Sequence, residues 1–102
     1  MDKLFVANTI REQIGQNSLM CFGARQFMGW AESDSDRGRL TFVVSNNPKI
    51  QRKCFVTVVL DFDDTYTVSV WYRNRSNEAQ ILSESKGIYC DQLSDLLFSV
   101  LG

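Results

Sequence analysis

The chain has 102 residues, 44% hydrophobic and 23% charged, with a formal net charge of −1 and one proline. That length suits one domain around one core, and the apolar content excludes intrinsic disorder. No run approaches the roughly 20 apolar residues of a membrane helix, and residues 1–10 lack the long apolar stretch of a secretion signal, so the expected compartment is the cytoplasm.

Residues 3–16 place Leu4, Val6 or Ala7, Ile10 and Ile14 at three-to-four spacing, which predicts an amphipathic helix ended by Gly15 and the Gln16-Asn17-Ser18 run. From Ser18 to Trp30 the period reads as two. That predicts a strand with Met20, Phe22, Ala24, Met28 and Trp30 on one face, Gln26 as the polar exception, and Gly23 marking a bulge or the close approach of another backbone. Leu40, Phe42 and Val44 alternate in a second strand, Val56, Val58, Leu60 and Phe62 in a third, and Tyr66, Val68, Val70 and Tyr72 in a fourth. Asp63-Asp64-Thr65 is short enough to join the third and fourth as a hairpin. A shorter fifth strand is predicted over residues 79–83. Leu93, Leu96, Leu97, Val100 and Leu101 then form a helical stripe beginning near Cys90-Asp91, with Asp91 and Asp95 toward its positive end. The predicted class is α+β: an N-terminal helix, an antiparallel meander of four or five strands, and a C-terminal helix, in two layers.

With both helices on one face, alternation assigns the opposite face Leu19, Cys21, Arg25 and Phe27, then Thr41 and Val43, then Phe55, Thr57 and Val59, then Thr67, Ser69 and Trp71. A solvated antiparallel face normally alternates into polar residues, and this one is too apolar for that. It is read as a surface for a partner protein or for self-association, with Arg25, Phe27, Phe55, Val59, Trp71 and Arg73 as its candidate contacts. The competing reading is a sheet coiled shut, or covered by residues 32–36. A bulge at Gly23 would exchange the faces of Arg25 and Phe27, and Arg25 would reach the rim or pair with Asp61. Alanine at Phe27 or Trp71 is expected to abolish binding with little change in stability.

Other chemistry is sparse. The chain has no histidine, which removes the commonest general base and metal ligand, so no enzymatic activity and no cofactor are expected. Cys21, Cys54 and Cys90 are odd in number, widely spaced and lack a partnering base, and read as buried free thiols. Asp61, Asp63 and Asp64 offer oxygen ligands to Mg²⁺ or Ca²⁺, although aspartates at a strand end also follow from turn chemistry alone. Lys49, Arg52, Lys53, Arg73 and Arg75, beside Trp71 and Tyr72, are a candidate nucleic-acid surface, weakened by the net charge of −1.

Several short pieces, "TIREQIGQN", "FGARQF", "DTYTVSV" and "GIYCDQLSDLLFSVLG", together resemble a family of small proteins encoded on phages, plasmids and other mobile elements. The matching positions are Thr9, Ile10, Gln13, Gly15 and Asn17 in the first piece and Gly23, Ala24, Arg25 and Phe27 in the second. Asp64 and Tyr66 follow, and Gly87, Tyr89, Asp91, Gln92 and Leu93 close the pattern. Arg25 stands where lysine is more usual, and relatives often continue past the end of this chain. The resemblance implies a bacterial host and a non-catalytic accessory protein, an inhibitor of a host defence complex of the anti-CRISPR kind.

Overall fold

The computed structural model describes residues 5–21, 23–31, 37–44 and 53–101. In chain order these form α1 (Phe5–Ile14), α2 (Gln16–Cys21), β1 (Arg25–Trp30), β2 (Gly38–Val44), β3 (Cys54–Leu60), β4 (Tyr66–Arg73), β5 (Ala79–Ile88), a 3₁₀ turn (Cys90–Gln92) and α3 (Leu93–Leu101). The strands pair antiparallel in the order β1-β2-β3-β4-β5, a meander with the helices on one face. The α+β class and the two terminal helical segments follow the sequence pattern.

The main departure lies between Gly15 and Arg25. Residues 16–21 form a helix rather than the start of a strand. Gly15 closes α1 by donating its N–H to the Arg11 carbonyl at 3.1 Å. Gly23 closes α2: its N–H reaches the Met20 carbonyl at 3.0 Å, and the Ala24 N–H reaches the Leu19 carbonyl at 3.0 Å. This nested pair is the Schellman arrangement, and it requires the φ of +67° that Gly23 adopts. So Gly23 ends a helix; it does not bulge a strand. Leu19, expected on the open face, is buried in the helix-side core at 4% exposure, and Met20 is 71% exposed.

A bulge does exist, three residues further on. Arg25 pairs with Val43 and Met28 with Thr41, so Gln26 and Phe27 together stand opposite Phe42. Gln26 takes a φ of +55° to accommodate the extra residue. The consequence is a change of face within β1. Arg25 stays on the open side, Phe27 turns to the helix side, and Met28 and Trp30 move to the open side.

The core sits between the helices and the sheet. Ile10 and Ile14 of α1, Leu19 of α2, and Leu93, Leu97 and Leu101 of α3 pack on Phe42, Val44, Val56, Val58, Val68 and Val70. Each fully buried aliphatic side chain of this kind contributes about 1.5–3 kcal/mol. Two polar ties cross the layer: the Tyr66 hydroxyl donates to Gln13 Oε1 at 2.5 Å, and the Ser18 and Ser94 hydroxyls meet at 3.0 Å. Gly38 opens β2 beneath α1 with a φ of +138°. A Cβ there would lie 2.9 Å from Val6 Cβ and 3.1 Å from the Trp30 carbonyl oxygen, so α1 approaches the sheet at a distance only glycine permits.

β5 runs to Ile88, well beyond the predicted residue 83, and two register shifts against β4 bend it. Cys54 is buried as expected, while Cys90 is exposed at the start of the 3₁₀ turn. The side chain of Cys21 lies outside the described residues, as do residues 32–36, named above as a covering loop.

Candidate functional site

Register assigns the open face row by row. The row that begins at Arg25 continues through Val43, Phe55 and Trp71 to Ile81. The next holds Met28, Thr41, Thr57 and Ser69, and the one after it Trp30, Arg39, Val59 and Thr67. Arg73 lies beyond Trp71 on β4, opposite Ala79.

At the centre, Phe55 and Trp71 stack across β3 and β4 with ring centroids 4.5 Å apart and planes tilted by 18°. Such a cross-strand pair is worth about 0.5–1.5 kcal/mol beyond its buried area. Arg73 sits over the Trp71 ring at 5.5 Å and Lys53 over the Phe55 ring at 6.0 Å. Polar bonds lock the indole. Trp71 Nε1–H donates to the Thr57 hydroxyl at 3.0 Å, which also meets the Thr41 hydroxyl at 3.0 Å. Arg73 is braced by a bond from its guanidinium to the Asn77 carbonyl at 3.3 Å.

A groove of about 410 Å³ opens over this arrangement. Its floor is Thr41, Thr57, Phe55 and Trp71, and its walls are Met28, Trp30, Arg39 and Arg73. Met28 and Trp30 are 43% and 45% exposed, so large apolar surface faces solvent beside two guanidinium groups. Thr41 at 4% and Val43 fully buried show that the face is not uniformly open.

The predicted contacts divide. Phe55, Trp71 and Arg73 line the groove. Arg25 shares the Phe55–Trp71 row as an exposed residue of β1, at the opposite end of β3 from Asp61. Val59 lies on the same face, outside the groove lining. Phe27 does not belong: it packs on Phe42 with ring centroids 5.6 Å apart, under the Arg11 guanidinium at 4.1 Å. Met28, Trp30 and Arg39 were not singled out from sequence because the bulge at Gln26 moved two of them across the sheet. The signal was present in Gln26 itself, the polar residue that broke an otherwise apolar alternation.

Of the basic set, Lys49 and Arg52 lie outside the described residues. Lys53 and Arg73 flank the aromatic stack, and Arg75 is exposed in the β4–β5 turn. The aspartates serve the β3–β4 turn. Asp61 accepts from the Thr67 hydroxyl at 2.6 Å, Asp63 from the Thr65 hydroxyl at 2.6 Å and N–H at 3.1 Å, and Asp64 pairs with Arg37 at 3.1 Å. The Thr65 hydroxyl holds the Asp63 carboxyl below its ordinary pKa. Among the described residues no group of three or more His, Cys, Asp or Glu side chains is placed to hold a metal ion. No protein-family model, curated protein or solved structure matches the chain.

Proposed function

We propose that this chain is a non-catalytic binding protein whose working surface is the groove on the open sheet face, and that its partner is a protein of the bacterial host. One observation carries the reading: Trp30, Trp71, Phe55 and Met28 converge with Arg39 and Arg73 around one concavity. Tryptophan, aromatic, methionine and arginine side chains are the types enriched in the energetic centres of protein interfaces. The ordered Thr41–Thr57–Trp71 chain lowers the entropic cost of docking, because the anchor is already held in one conformation. The mobile-element resemblance suggests a host defence complex as the partner and inhibition by occlusion as the mode.

The test is affinity capture from nuclease-treated host lysate, comparing wild type with Trp30→Ala/Trp71→Ala, followed by reconstitution with the purified captured protein. A partner that binds wild type and loses about a hundredfold in affinity with the variant, while the variant keeps its fold by circular dichroism, supports the reading. A partner that binds both equally refutes it. Gel filtration of the free protein distinguishes a second copy of the chain from a host protein as the occupant.

A further inference from the structure

Resting on the reading of the groove as a protein-docking surface, we infer that its occupant is an extended acidic segment carrying an apolar anchor, with carboxylates that meet Arg39 and Arg73. The charge distribution is the first argument. Within the five strands Glu84 is the sole acid, and it lies 3.5 Å from Lys86 on the outer strand β5. Arg25, Arg39 and Arg73 all stand on the open face, joined by Lys53 over Phe55. Among the described strand residues the open face therefore carries an excess of cations: Arg25, Arg39 and Arg73 stand on it, and its one strand carboxylate, Glu84 beside Ser69, lies out on β5 and pairs with Lys86. A partner that docks here meets fixed positive charge, and complementary carboxylates both steer its approach and fix its register.

Geometry supplies the second argument. Arg73 and Arg39 lie at opposite ends of the groove, separated by the Phe55–Trp71 row and the Thr41–Thr57 row and by two strands laterally. Rows repeat about every 6.8 Å along a strand and strands lie about 4.8 Å apart, so the two Cα positions are separated by about 22 Å. An extended segment of about seven residues spans that distance, with room between its acids for one apolar side chain to enter the groove.

The third argument separates a protein from a nucleic acid, the other polyanion that arginines attract. Base stacking on a sheet uses open aromatic faces. Here Phe55 and Trp71 stack on each other with Arg73 and Lys53 over them, which leaves Trp30 as the one largely exposed aromatic ring of the groove, where successive stacked bases need several. A carboxylate needs no such face; it pairs with guanidinium edges through bidentate hydrogen bonds.

The experiment is selection of a random peptide library on the immobilised full chain, with binding of labelled winners followed by fluorescence polarisation. Enriched peptides are expected to carry an acid on each side of an aromatic or large aliphatic residue. Binding should weaken about fivefold in each of Arg39→Gln and Arg73→Gln, the scale of a largely exposed ion pair, with wild-type thermal melts. Enriched peptides that lack acids and bind the arginine variants normally would overturn the charge assignment while leaving the groove as a docking site. Selection that enriches nothing over Trp30→Ala/Trp71→Ala would overturn the assignment and the groove reading together. Oligothymidine that binds more tightly than the best peptide, and is lost in the same arginine variants, would replace the acidic segment with single-stranded nucleic acid.

Discussion

Gly38→Ala isolates the contact that seats α1 on the sheet. The new methyl group would stand 2.9 Å from Val6 Cβ, 3.1 Å from Val6 Cγ1 and 3.1 Å from the Trp30 carbonyl oxygen. Val6 Cβ and the Trp30 carbonyl are tied to backbone and cannot rotate away, so relief requires α1 or the end of β1 to shift. Overpacking of this kind costs about 1–3 kcal/mol. The φ of +138° adds strain of about 1–3 kcal/mol for a residue with a side chain. Together the substitution should cost about 3 kcal/mol, which lowers the melting temperature of a domain this size by roughly 12–24 °C. Gly23→Ala is the control. Its φ of +67° is also unfavourable, yet an added Cβ meets nothing within 4 Å, so only the backbone cost of about 1 kcal/mol applies. Urea melts of the two variants, with unchanged slopes, give the comparison directly. Equal losses at the two positions, or a Gly38→Ala loss below about 0.5 kcal/mol, would refute the claim that the α1–β2 approach is set by this glycine.

Phe27→Ala should destabilise by about 2 kcal/mol through lost packing on Phe42 and under Arg11, read by urea melts, and leave groove binding within about twofold of wild type. Thr57→Val keeps the side-chain shape but removes the acceptor for the Trp71 indole, so stability should fall by about 1 kcal/mol and the near-UV circular dichroism of the stacked pair should weaken. Burial raises the Tyr66 phenol above its ordinary value. The folded state then holds that proton more tightly than the unfolded chain, so the stabilisation is complete below about pH 10 and is lost as pH rises beyond it. The urea midpoint should therefore drop between about pH 9 and 11 in wild type and drop less in Tyr66→Phe.

The strands β2, β3 and β4 were legible because their apolar and polar residues alternate without interruption and each buries one face. The stripe of Leu93, Leu97 and Leu101 was legible for the same reason at helical period. The stretch from Gln16 to Trp30 was not. A six-residue helix offers too few turns to display a 3.6-residue period, and "SLMC" satisfies either pattern over so short a run. Gly23 was noticed as special, but its role depends on where the N–H groups of Gly23 and Ala24 find acceptors, a matter of three dimensions. The faces of Phe27, Met28 and Trp30 were hidden for a separate reason: the extra residue at Gln26 moves each following side chain of β1 to the other face. Half of the groove was visible nonetheless. Phe55 and Trp71 fall on the open face as their alternation predicts, since β3 and β4 pair without a bulge between them, whereas Met28 and Trp30 depended on the extra residue at Gln26.

The chain has two tryptophans, Trp30 and Trp71, and both line the same groove. Its ultraviolet emission is therefore a native optical report on that one face, undiluted by indoles elsewhere. The two contribute differently: Trp71 is held against Phe55 beneath a guanidinium, while Trp30 stands nearly half exposed at the end of β1. An occupant that dries the groove should shift Trp30 emission to the blue more than that of Trp71, which lets an unlabelled protein signal how deeply its partner is seated.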